Sequence, residues 1–103
     1  MTSPTQRSLA HLRALGYRVA IVERWNPFAR IKQDLFGVLD LLAVKDGEIL
    51  GVQTTSGSNV AARIAKLAES EAVPDLRRAG MRLEVHGLRR LKAGRQVRVV
   101  DVS

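Results

Sequence analysis

The chain reads as a single α/β domain, residues 1–103, with a mixed central sheet flanked by helices. Three observations predict this. Apolar residues recur at helical spacing, then in β-branched runs, then at helical spacing again, which gives the order α-β-β-β-α-β-β. A long apolar run from Leu35 to Val44 is followed by an Asp46-Gly47 turn and a second run, Ile49 to Thr55, as in an antiparallel hairpin. The chain has 103 residues, 46% of them hydrophobic, enough for one core and too few for two.

Each element has a local cause. Thr5 or Ser3 is placed to cap a first helix entered through Pro4, with Leu9, Leu12 and Leu15 on one face and Gly16 as its stop. Tyr17 to Val22 is rich in β-branched residues and predicts a strand. Pro27 in Arg24-Trp25-Asn26-Pro27-Phe28 cannot donate to a ladder, so this stretch interrupts pairing. Arg30 to Gln33 is then a polar lead-in to the next strand.

Leu35 to Val44 is apolar on both faces, the pattern of a strand covered on each side. Gly57-Ser58 leads into a second helix with Val60, Ile64 and Leu67 as its stripe, broken at Pro74 and continuing to Arg78 before Gly80. Met81 to Leu88 and Gln96 to Val102 predict two last strands, joined as a hairpin through Arg89 to Arg95.

Composition excludes several classes. The chain lacks cysteine, so it has no disulfide framework and no thiolate ligand or nucleophile. With His11 and His86 alone, a histidine-rich zinc site is not expected, and His86, isolated in a strand, reads as structural. The sequence shows neither a membrane-length apolar run nor a signal-peptide pattern at Met1-Thr2-Ser3-Pro4. No membrane association is expected. The net charge of +7 is unevenly spread: basic ends flank an acidic middle, residues 34–56, with one lysine against four acids. Thirteen arginines against four lysines suit bidentate contacts to phosphate.

The acidic middle holds the residues that carry chemistry. Asp40 lies in an apolar strand, where a carboxylate must be hydrogen-bonded, ion-paired, protonated or bound to a cation. After the turn come Gln53-Thr54-Thr55-Ser56-Gly57-Ser58-Asn59, a dense polar run at the end of a buried strand. If the two strands pair around Asp46-Gly47, Gln53 lies level with Asp40, and Thr55 shares its face by the two-residue period.

This stretch, residues 34–67, resembles the PD-(D/E)XK nuclease superfamily, especially small phage and resolvase-type members. In that family one strand ends near a metal-holding aspartate, and the next supplies an acid or glutamine followed two residues later by a lysine. Asp40 and Gln53 fit; Thr55 stands where the lysine would be. The resemblance implies a restriction-endonuclease-like αβββαβ core with an extra C-terminal strand. It also implies Mg²⁺ or Mn²⁺ as cofactor and DNA as partner, with phosphodiester hydrolysis as the activity and branched or phage DNA as candidate substrates.

In that reading Asp40 and Gln53 hold the metal, Gln53 through its neutral carbonyl oxygen, and Thr55 occupies a catalytic position without its charge. Lys66 on the second helix is the preferred substitute for the lysine. Glu23 and Asp34 are candidates to replace the acid that the family carries on its first helix, where this chain has Gln6 or Thr5. Each has a plain counterpart: an arginine partner for Asp40, a sheet hydrogen bond for Gln53, a solvated helix position for Lys66.

Arg24, Arg30, Lys32 and Arg63 are the expected phosphate-binding cations, and Ser56, Ser58 and Asn59 would offer hydroxyls and amides at the start of the second helix. Trp25 and Phe28, set between arginines, either stack on exposed bases or plug the edge of the core. A domain this small is expected to need a second copy to grip a duplex, so a homodimer is the expected assembly. The expected location is the cytoplasm of a prokaryotic or phage-infected cell. The alternative on the same fold is a DNA-binding or assembly module that no longer cleaves, and a third reading is an accessory protein whose basic surface meets a protein partner.

Overall fold

A computed structural model describes residues 3–91 and 94–103, with the side chains of residues 91 and 95 left out of the description. The connection expected within Arg89 to Arg95 therefore falls partly outside the described residues, as does the start at Met1-Thr2.

Helix α1 (Pro4–Ala14) is capped by Ser3, whose Oγ accepts from the Gln6 amide at 3.2 Å, and Pro4 opens its first turn. Leu9 and Leu12 are buried, whereas Leu15, expected on the same stripe, lies beyond the last turn and is exposed. Gly16, with φ 95°, reverses the chain into β1 (Arg18–Ile21).

After β1 the chain leaves the sheet as a small separate hairpin, β2 (Arg24–Asn26) and β3 (Ile31–Gln33). The expected polar lead-in is thus a strand of its own. Strands β4 (Leu41–Lys45) and β5 (Glu48–Ser56) pair antiparallel around Asp46 and Gly47, whose φ values of 48° and 79° suit the tight hairpin turn.

A short 3₁₀ turn, Gly57–Asn59, leads to α2 (Val60–Glu69) and α3 (Ala72–Arg78). The break between these helices falls at Ser70–Glu71, before Pro74, because proline is accommodated within the first turn of the following helix. Strands β6 (Arg82–Leu91) and β7 (Gly94–Asp101) form the last hairpin and run further toward each other than expected.

The five-stranded sheet has the order β1-β4-β5-β6-β7; β5 and β6 are parallel and the other pairs antiparallel. Helix α1 covers one face, with Leu12 against Leu41, Ala43, Leu50 and Val52. Val60, Leu67 and Val73 of α2 and α3 pack with Leu83, Val85, Val38 and Leu39. The crossover is tightly seated: a Cβ at Gly87 of β6 would collide with Val60 and come within 3.3 Å of Gly57 Cα. Among the described residues no helix is long and apolar enough to cross a membrane.

The main correction concerns Leu35 to Val44, which is not one strand. Residues 34–39 form a turn in which the amides of Gly37, Val38 and Leu39 bond back to Asp34 and Leu35, and Phe36 and Gly37 have φ of 55° and 76°. Val38 and Leu39 are buried, which explains the strand-like hydrophobicity. The turn also has a consequence for chemistry. Six residues of extended chain would hold Asp34 and Asp40 about 20 Å apart, and folding back brings them together.

Candidate metal centre at the end of strands β4 and β5

Asp40 sits where β4 begins. Its amide donates to Val52 O at 2.8 Å, and its carbonyl accepts from the Val22 amide at 2.9 Å, so its backbone is held from both sides. Because residues 34–39 turn away, the Thr54 amide of β5 lacks a continuing strand beside it, and Asp40 Oδ2 accepts from it at 2.7 Å. The same oxygen accepts from Thr54 Oγ1 at 3.1 Å and Gln53 Nε2 at 2.8 Å. Among the described residues no lysine or arginine forms an ion pair with Asp40, which removes the arginine-partner alternative.

Two further acids converge on Asp40. Glu23 arrives from the end of β1 and Asp34 from the turn, and one carboxylate oxygen from each of Glu23, Asp34 and Asp40 lies within 4.8 Å of the others. Asp40 is 3% exposed. Burial, and next the hydrogen bond that the protonated Asp40 carboxyl gives to the Asp34 carboxylate, push the Asp40 carboxyl up to about 8; the Thr54 amide pulls the other way without prevailing. Three acids so close hold fewer than three negative charges unless a cation joins them.

Cations stand at the rim. Lys66 Nζ is 3.5 Å from Asp34 Oδ2, and Lys32 Nζ is 4.0 Å from Glu23 Oε1. With Arg63 and Thr5 these residues line a cleft of about 320 Å³ over the acids. Thr5 on α1 donates from Oγ1 to Glu23 Oε1 at 3.1 Å and lies 2.9 Å from Thr54 Oγ1. A larger depression of about 810 Å³ lies at the opposite end of β4–β5, around Asp46 and Gly47, away from the acids. Turn backbone shapes it and no cluster of three acids among the described residues converges there, so the smaller cleft is the chemical candidate.

The residues expected from the sequence divide. Asp40, Gln53 and Lys66 come together, with Arg63 and Lys32 on the rim. Gln53 is 2% exposed and turns its nitrogen, not its oxygen, toward the acids: Nε2 is also 3.4 Å from Asp34 Oδ2, while Oε1 has no partner among the described residues. To serve as a ligand through its carbonyl, this amide would have to turn over. Thr55 is 6% exposed and is not part of the cleft lining. Ser56, Ser58 and Asn59 lie outside the cleft and bond among themselves, Asn59 Nδ2 donating to Ser56 Oγ at 3.0 Å.

Arg24 lines an adjoining groove with Lys32, Asp34 and Lys66, and Arg30 is exposed between β2 and β3. Trp25 and Phe28 do not plug the core; both are exposed. His86 is buried, with Nε2 2.8 Å from Glu84 and its ring edge-on to His11 at 5.8 Å. Thr54 is the site residue the sequence reading passed over. Its signal was its place beside Gln53, on the opposite face of β5, at the strand level where Asp40 ends its own ladder.

No family model, curated protein or solved structure matches this chain significantly. The functional reading therefore rests on the geometry above.

Proposed function

We propose that this protein is a metal-dependent nuclease of the PD-(D/E)XK kind, hydrolysing phosphodiester bonds in DNA with Mg²⁺ or Mn²⁺. One observation carries the reading: three carboxylates from separate segments meet in a cleft whose rim is cationic. The connectivity supports it as well. Helix α1, then β1, β4 and β5, then the helical crossover to parallel β6, follows the αβββαβ order, with β7 as the added strand and the β2–β3 hairpin as an insertion.

The donor set fits the ion. Carboxylate oxygens are the hard ligands that Mg²⁺ and Mn²⁺ take, and two or three of them suffice when water completes the shell. Asp40, Asp34 and Glu23 are the proposed ligands. Gln53 and Thr54 act behind them: their donors fix Asp40 Oδ2 and leave its other oxygen for the cation. A bound divalent ion supplies Lewis acidity toward the phosphate and a more acidic water. The chain supplies the rest. Lys66, held by Asp34, places a positive charge at the cleft where the family lysine is missing, and Arg63 and Lys32 hold phosphate oxygens. Cutting both strands of a duplex would call for a second copy.

Calorimetric titration of Mn²⁺, with Asp34→Asn and Asp40→Asn as controls, tests the site. Nicking of supercoiled plasmid and of branched substrates then tests the chemistry. Absence of any heat at about millimolar Mn²⁺ removes the reading.

A second reading has its own observation. Thr55 carries no charge and is buried, and Lys66 is already engaged at 3.5 Å by Asp34, an arrangement suited to a DNA-binding module that holds metal without cutting. Metal binding and DNA binding with no nicking on any substrate would select it.

A further inference from the structure

The β2–β3 hairpin contributes little to either core cluster and carries the most exposed aromatic surface of the described residues. Trp25 is 59% exposed, Ile31 51% and Phe28 98%. Phe28 is nonetheless held in place: Asn26 Oδ1 accepts from the amides of Phe28 and Ala29 at 3.0 and 3.1 Å, so an Asx turn fixes the tip. Exposed aromatics on an ordered support mark a binding surface.

Register connects this surface to the cleft. Trp25 pairs with Lys32 across the hairpin, so their side chains share one face, and the Lys32 ammonium reaches to 4.0 Å from Glu23 at the cleft rim. The indole therefore stands one cross-strand pair from the acids. Residues 24–33 contain Arg24, Arg30 and Lys32 and no acid. Aromatic faces among cations, with no anion, complement a strand whose bases are free to stack and whose phosphates need neutralising. A paired duplex hides those faces.

We infer that the β2–β3 hairpin is a stacking platform for unpaired nucleotides, which makes single-stranded, flapped or branched DNA the substrate class of the cleft. The inference rests on the nuclease reading for its orientation toward the cleft. Trp25 stacks on a base adjoining the phosphate held over the acids, Phe28 meets a neighbouring base, and Arg24, Arg30 and Lys32 hold the backbone.

Trp25 is the sole tryptophan of the chain, so its emission reports stacking directly. The experiment is fluorescence titration in chelator with an oligo-dT of about 12 nucleotides, a flapped duplex and a blunt duplex. Single strand and flap should quench the emission and bind about tenfold or more tighter than the blunt duplex. Trp25→Ala and Phe28→Ala, read by anisotropy of a labelled strand, should each lose about tenfold while melting as the parent does. Equal quenching by blunt duplex, or none by single strand, overturns the inference. So does a concentration-dependent blue shift without DNA, which would mean that a second copy covers the hairpin. Because chelator is present, this result is independent of the metal site: Mn²⁺ binding without quenching leaves the nuclease reading and sinks the platform, and quenching without Mn²⁺ binding does the reverse.

Discussion

Replacing Asp40 by asparagine asks whether the buried carboxyl is neutral in the metal-free protein. Asparagine has the shape of a protonated aspartic acid. Its oxygen can accept from the Thr54 amide and from Gln53 as Oδ2 does, and its NH₂ can face Asp34 and Glu23 as the acid proton would. The Asp40 carboxyl is pushed up to about 8 from the ordinary aspartate value of 3.8. The folded chain thus keeps a proton that the unfolded chain releases, so the contribution of this group is full below about pH 4 and is lost as pH rises through about 8.

The slope between these limits is ~1.4 kcal/mol per pH unit, and the whole effect is on the order of several kcal/mol as an upper bound. For a domain of this size ~1 kcal/mol moves the melting temperature by ~4–8 °C. In chelator, Asp40→Asn should therefore melt on the order of 10 °C above the parent at about pH 8 and converge with it toward about pH 4. Saturating Mn²⁺ should raise the parent, by favouring the ionised carboxylate, and leave the variant almost unmoved. Differential scanning fluorimetry across pH, with and without Mn²⁺, reads both effects. An asparagine variant that melts below the parent at every pH would show that Asp40 works as an anion without metal, and the metal-centre argument would fail.

Lys66→Ala should lower DNA nicking by about 100-fold, as loss of a charge facing the reacting phosphate does, without weakening Mn²⁺ affinity, since it also frees Asp34; parallel calorimetry and nicking assays separate the two. The His11 ring has its pKa lowered, first by burial and then by the nearby His86, so its contribution is present above the ordinary histidine range and lost as pH falls below it; His11→Gln should flatten the acid side of the stability profile. Gly87→Ala would drive a methyl into Val60 and toward Gly57 Cα at 3.3 Å, and urea unfolding should show a loss of about 1–3 kcal/mol with an unchanged slope.

Helices, hairpins and sheet partners were legible because each has a local cause: Ser3 with Pro4 for α1, Asp46-Gly47 for the β4–β5 turn, the Val60, Ile64 and Leu67 stripe for α2. The level pairing of Asp40 with Gln53 was readable for the same reason, since a two-residue turn fixes register. What escaped was the turn at residues 34–39. Val38 and Leu39 are buried whether the chain is a strand or folds back, so hydrophobicity cannot tell the two apart, and Phe36 at φ 55° is a conformation its residue type argues against. Yet this turn decides the site. As a strand, the segment would leave Asp40 with a neutral amide for company and a weak hold on any cation. Folded back, it delivers Asp34 and leaves the Thr54 amide without a ladder partner, so Asp40 Oδ2 becomes a fixed acceptor while the carboxyl's other side faces two more acids. The neutral Gln53 then need not weaken the centre: the negative charge that β5 lacks is supplied by a turn and by the end of β1, and the positive charge that Thr55 cannot carry stands on Lys66 of α2.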